Sequence, residues 1–194
     1  MRNYISINDQ IIALTDEQVE NLRDSFNLPC VKLADVLVGE TFKIGNHEMV
    51  ALEHSGDTTA VILKDLLPDQ QFGVSNNYDG SYVDKTCSKF AEEIEQSVGK
   101  DNLCLHTVDL TADDGLKCYG SVKRKASLLT AEKYRQFVYV LDKYKPDSWW
   151  WLATALSTPA HGYKTAVKCV APSGCVSSMS ASTAATAAFA RFVS

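Results

Sequence analysis

Near the start of the chain, apolar Ile5 and Ile7 alternate with polar neighbours, and Ile11 and Ile12 follow after Asn8-Asp9. Alternation of period two around an Asn-Asp turn predicts a hairpin of two short strands, YISI and IIAL. The next stretch, LTDEQVENLRDSFNL, changes period. Val19, Leu22 and Phe26 share one helical face, Thr15 with Gln18 fits a capping box, and Pro29 marks the stop. Residues 1–34 therefore form a small hairpin-and-helix module, with residues 35–194 as the main domain.

Strand signals resume in ETFKIGNHEMVALEHSGDTTAVILKDLL. Phe42/Ile44 and Met49/Ala51 alternate, turns fall at Gly45-Asn46 and at HSGD, and AVIL runs apolar, which predicts a meander of about three strands. FGVSNNYDGS is a polar loop leading into a helix that begins at Ser81. Val83, Cys87, Phe90 and Ile94 form that helix's buried face, and Gly99 is its C-cap. In the loop, Tyr78 is a candidate border of a binding surface. LCLHTVDLT predicts a strand and ADDGLKCYG a loop. A second helix starts at Thr130, with Tyr134, Phe137, Val138 and Leu141 as its buried stripe. From Trp149 the helical period ends. WWWLAT, TAVKCVA, CVSSMSA and AAFARFV read as short strands joined by Gly, Pro and Ser turns. The fold class is α+β, an antiparallel sheet flanked by two helices with an irregular, β-rich C-terminal end.

Composition narrows the function classes. The 194 residues are 45% hydrophobic and carry a formal net charge of −5, enough for a sizeable core and no electrostatic footprint for nucleic acid. The basic run Lys123, Arg124 and Lys125 reads as a solvated turn. No apolar stretch reaches membrane-span length, and MRNYISINDQ is not a signal peptide, so a cytoplasmic or virion-associated protein without membrane insertion is expected. Cys30, Cys87, Cys104, Cys118, Cys169 and Cys175 make no CxxC pair, so reduced thiols are expected; Cys169 and Cys175 could face each other across the turn APSG.

Catalytic motifs are missing from the sequence: there is no GxSxG and no HExxH, and His47, His54, His106 and His161 are scattered. Asp113-Asp114-Gly115 carries too few carboxylates for a calcium loop, and an Asp-Gly turn is its commoner meaning. The expectation is no enzyme, no cofactor and no metal. Trp149, Trp150 and Trp151 are the chain's only tryptophans. In a strand they alternate faces, so at least two should pack in the core, and the third either packs as well or stacks on a sugar or a protein.

VGETFKIG, VILKDLL, FGVSNNYDGSYV, EIEQSVGKDNLCLHTVDLTADDGLKCYG, ASLLTAEKYRQF, WWWLAT, VKCVAPSGCV and AFARFV, in this order, resemble a Trp-Trp-Leu-containing domain family of gut bacteria, mainly Firmicutes, and their phages and prophages. The resemblance covers residues 36–194 and leaves the N-terminal module outside it. The family is of unassigned activity and is similar in fold to C-type lectins: a mixed antiparallel sheet, two flanking helices and a loop-rich C-terminal half. Some members look like the variable proteins of diversity-generating retroelements, in which the last several dozen codons are replaced by adenine-mutagenised copies. Here FARFV keeps Arg191 but lacks the proline of the common Val-Arg-Pro-Ala ending. The tail SSMSASTAATAAFARFV fits such diversification over residues 149–194, and it fits an ordinary sheet surface equally well.

The resemblance implies a non-catalytic module that binds a protein or glycan on a host cell or virion through residues 155–190. Its candidate contacts are Ser177, Ser178, Ser180, Ser182, Thr183 and Thr186, with Tyr163 and Trp151 as aromatic anchors. A second reading is an intracellular phage protein that binds a host defence factor, with the N-terminal module as its interaction or dimerisation element. The least favoured is a copper oxidase by fold analogy, using Cys169 and Cys175.

Overall fold

The computed structural model describes residues 3–7, 10–15, 18, 33–183, 187–188 and 191–193. The chain divides into two compact units, Met1–Asp35 and Val36–Ser194. In the first, β1 (Asn3–Ile7) and β2 (Gln10–Leu14) form the expected antiparallel hairpin, with Ile5 opposite Ile12. The capping box is reciprocal: Thr15 N donates to the Gln18 side-chain oxygen at 2.9 Å, and Gln18 N donates to Thr15 Oγ1 at 3.2 Å. Val19, Leu22, Phe26 and Pro29 lie outside the described residues.

The second unit begins with the meander: β3 (Thr41–Ile44), β4 (His47–Ser55) and β5 (Thr58–Leu63), paired antiparallel. After the polar loop comes α1 (Tyr82–Val98). Ser81 accepts from Asp84 N at its start, and Gly99, at φ 89°, donates to Glu95 O at its end. Its face is the expected one, with Val83, Cys87, Phe90 and Ile94 buried. Then follow β6 (His106–Asp109), β7 (Ser121–Arg124), β8 (Ala126–Ser127) and α2 (Ala131–Leu141), capped by Thr130. Last come β9 (Trp150–Ala155), β10 (Ala166–Val170), β11 (Val176–Ser180), β12 (Ala187–Ala188) and β13 (Arg191–Val193). Among the described residues the architecture is mixed α+β with these two α-helices.

The strands form a five-stranded antiparallel sheet in the order β3-β4-β5-β13-β8 and a four-stranded sheet in the order β11-β10-β9-β12, with β6-β7 as a separate hairpin. Among the described residues, all strand pairs are antiparallel except β12 with β9. The last strand sits between β5 and β8, so the C-terminal residues complete the sheet that the meander begins. Val50, Leu52 and Ile62 of one sheet meet Trp150, Leu152 and Val170 of the other, with Tyr134 and Phe137 of α2 in the same cluster.

Three sequence expectations change. Both faces of β9 are covered: Trp150 packs edge-on to Tyr134 at 5.4 Å, while Trp151, with no exposed surface, stands edge-on to Phe72 at 5.5 Å and donates to Gln70 O at 3.2 Å. Trp151 is therefore core and not a binding residue; Trp149 is the ring left partly exposed, at 37%. On α2, Val138 is exposed and Val140 buried. Val140, beside Gly39, packs with Tyr134, Phe137 and Leu141 in the core cluster, and Val138 falls outside it.

The basic run is not a solvated turn. Arg124 Nε and Nη2 bond the two oxygens of Asp84, both at 2.7 Å, and Nη2 also reaches Asp79 at 2.6 Å. Asp84 is buried and also accepts from Gly80 N at 2.9 Å. Lys125 pairs with Glu95. The hairpin strand β7 is thus locked to α1. The hydrogen bond with Asp84 raises the Arg124 pKa further above its already high value. Removing one partner of a buried pair strands the other charge without water. Arg124→Ala is expected to lose about 3–5 kcal/mol in urea unfolding, whereas Val138→Ser should change stability by less than about 0.5 kcal/mol.

Candidate functional site

Asn76 has no exposed surface. Its side-chain nitrogen donates to Ser157 O at 2.8 Å and Ala166 O at 3.1 Å, and its oxygen accepts from the Tyr119 hydroxyl at 2.6 Å. Both amide donors are used, and the oxygen is engaged. Its backbone N–H adds a bond to Lys164 O at 2.9 Å. One side chain therefore ties the loop after Phe72 to both ends of the β9–β10 connection. The end of β11 joins the same knot: Gly73 N donates to Ala181 O at 3.2 Å, and Ala181 N donates to Thr165 O at 2.7 Å. Gly73 suits this close approach, because a Cβ there would meet Ser81 Cβ at 3.3 Å.

The connection itself is built by local chemistry. Pro159–His161 form one 3-10 turn, closed by Gly162 in the left-handed conformation at φ 80°. Tyr163 N then turns back to Thr158 O at 3.3 Å. Buried backbone below and a closed turn above push Tyr163 outward, 60% exposed. Val74 lies between the Gly73–Ala181 and Asn76–Lys164 bonds and is 86% exposed. Ser180 and Ser182 touch through their hydroxyls at 2.9 Å, and Thr183 N caps onto Ser180 O at 2.9 Å. Three segments distant in sequence thus present an aromatic ring, an aliphatic side chain and paired hydroxyls on one end of the four-stranded sheet.

A second anchor is acidic. Asp114 accepts from the Ser157 hydroxyl, from Leu116 N at 3.1 Å and meets His161 Nδ1 at 3.0 Å. The Ser157 bond holds the Asp114 carboxyl below its usual range. Ser, His and Asp come together here in the wrong order for a relay. The Ser157 hydroxyl and His161 Nδ1 both bond Asp114 Oδ2, so the hydroxyl donates to the carboxylate and not to the imidazole. Neighbouring Asp113 pairs with Lys168 at 3.2 Å and Arg135 at 3.4 Å. Among the described residues, no group of three or more His, Cys, Asp or Glu side chains is placed to hold a metal ion.

The candidate contacts divide. Tyr163, Ser180, Ser182 and Thr183 belong to the surface around Asn76. Ser177 and Ser178 lie farther down β11, where they pair with Cys169 and Lys168 on opposite faces, so they do not make one surface. Thr186 lies outside the described residues. Trp149 stands at the far end of β9, ~20 Å of strand away. Tyr78, in the loop that carries Asn76, is buried and borders no surface. Cys169 and Cys175 do not face each other. Cys169 opposes Ser177, and burial pushes its thiol up to about 11, while Cys175 is exposed beyond the strand's start. Sequence reasoning placed the Asn-rich loop as a turn and missed the role of Asn76. The one local signal was an asparagine flanked by residues already able to turn.

No family model, curated protein or solved structure matches the chain. No helix among the described residues is long and apolar enough to cross a membrane.

Two outcomes test the site's wiring. Asn76→Ala leaves two carbonyls and the Tyr119 hydroxyl without their partner, and thermal or urea unfolding should register a loss of about 2–4 kcal/mol. For Asp114, a depressed folded pKa means that its contribution is complete above the unfolded value, about pH 4, and is lost as pH falls through the folded value. Carboxyl NMR titration should show the Asp114–Ser157 contact intact at pH 4 and released only in stronger acid. Release above pH 4 would contradict the assignment.

Proposed function

We propose that this chain is a non-catalytic binding module whose ligand is a protein or glycan on a host cell or virion surface. The observation that carries this reading is the set of exposed side chains, Val74, Tyr163, Ser180 and Ser182, mounted on backbone that the buried Asn76 amide holds in place. A rigid support carrying exchangeable surface residues is how folds host recognition. Tyrosine supplies a large amphipathic contact with little entropy to lose, and serines adapt their hydroxyls to sugar or backbone groups. The central carboxylate of the Ser157–Asp114–His161 cluster argues against acyl transfer there.

The resemblance to the Trp-Trp-Leu domain family supports a C-type-lectin-like scaffold and a phage or prophage setting. In that setting the tail would be open to replacement by a diversity-generating retroelement, and the Asn76 surface is where replacement changes recognition without touching the core. Sequencing codons 149–194 across the source population tests this. Substitutions should concentrate at Tyr163, Ser180, Ser182 and Thr183, with codons for buried Trp150, Trp151 and Cys169 fixed. A uniform tail, or variation spread evenly over buried and exposed codons, would overturn the diversified-surface reading.

A further inference from the structure

A groove elsewhere in the domain shares no residue with the Asn76 surface, and the inference drawn from it is independent of that reading. The β3–β4 turn, the start of β4 and the chain leaving β5 run past α1 and enclose about 330 Å³. Leu63, Leu66, Leu67, Pro68 and Phe90 give the groove its apolar lining. Leu66 also packs against the core cluster, so this wall is fixed. The His47 ring stands edge-on to Phe90 at 5.0 Å and bonds Glu93 at 2.9 Å. Glu48 takes Lys64 at 2.8 Å.

Charge decides what such a groove accepts. Its lining holds the carboxylates of Glu48, Asp65 and Glu93; Lys64 neutralises Glu48, which leaves Asp65 and Glu93 to set the charge of the groove. Asp65 is exposed and makes no hydrogen bond among the described residues. Anionic ligands and anionic lipid surfaces are repelled by this arrangement, and a purely apolar ligand would leave the carboxylates at its rim unused. Lysine and arginine match both features, laying an aliphatic stem along apolar surface while the charged head meets a carboxylate. The chain's net charge of −5 favours encounter with a basic partner over an acidic one.

We propose that this groove docks a short basic segment of a partner protein. An apolar side chain of the segment sits on Leu66, Leu67 and Pro68, and a neighbouring lysine or arginine pairs with Asp65 and Glu93. The probe is a fluorescein-labelled peptide alternating lysine and leucine, read by anisotropy beside the same peptide with glutamate for lysine. The full chain should bind the lysine peptide, less tightly as salt rises, and not the glutamate peptide. Asp65→Asn with Glu93→Gln should weaken binding by about tenfold, with circular dichroism unchanged because both side chains are at the surface. Leu67→Ser alone should weaken it severalfold; this variant keeps the test decisive if the double variant does not fold. No binding by the wild-type chain, equal binding by either variant, or equal binding of the glutamate peptide overturns the proposal. Full displacement by spermidine together with an unaffected Leu67→Ser variant overturns it too, because that pattern is diffuse attraction of cations.

Discussion

A buried primary amide with both donors and its acceptor engaged is the constraint on which the candidate surface depends. Asn76 bonds Ser157 and Ala166 across separations of 81 and 90 residues, and Tyr119 across 43. Away from water, each of those partners would cost free energy if left alone, so the arrangement tolerates little drift. No other side-chain chemistry at this position does the same work. Aspartate cannot donate, leucine cannot bond, and glutamine is longer by a methylene. The loop after Phe72, the β9–β10 connection and the end of β11 are consequently one structural object, although nothing in their separate sequences requires it.

Around that knot the domain is built in layers that each shield a polar tie. The Trp150 and Trp151 rings fill the two faces of β9, and β9 in turn supplies Thr154, whose hydroxyl accepts from Ala131 N at 2.9 Å where α2 begins. Arg124 closes the start of α1 in a similar way, neutralising the buried Asp84 while the same carboxylate accepts from Gly80. Tyr78 and Cys87 lie fully buried beneath, and burial pushes the Cys87 thiol up to about 12, which leaves it protonated and inert under ordinary conditions. Exposed side chains at the Asn76 end therefore sit on a background that cannot easily move, the condition under which a surface substitution would change recognition and spare folding.

Local rules made much of this legible before any coordinates. The β1–β2 hairpin and the β3–β4–β5 meander announced themselves through period-two alternation, α1 through its Ser81 cap and Gly99 stop, and the C-terminal strands through their Gly, Pro and Ser punctuation. What periodicity cannot state is which faces are covered. WWWLAT alternates correctly, yet both of its faces are buried, so the expectation that Trp151 was available failed while Trp149 took the exposed role. Val138 lies on the expected helical arc, but Val140, beside Gly39, is the position that packs into the core cluster. The basic run looked solvated because its acidic partners, Asp79 and Asp84, lie 40 or more residues away. Asn76 was hidden for the same reason: in sequence it is one more turn-forming residue, and only the tertiary contact reveals a staple.

The most direct measurement is native-state amide exchange on the wild-type chain and on Asn76→Ala, at a temperature where both are folded. The amides of Gly73, Leu156 and Ala181 report the three segments, because each donates to a backbone carbonyl within the knot. Selective acceleration at these amides, with β4 and β5 amides unchanged, is the result predicted if one side chain holds the surface together. Unchanged exchange at Gly73, Leu156 and Ala181, or a uniform acceleration that includes β4 and β5, would contradict it.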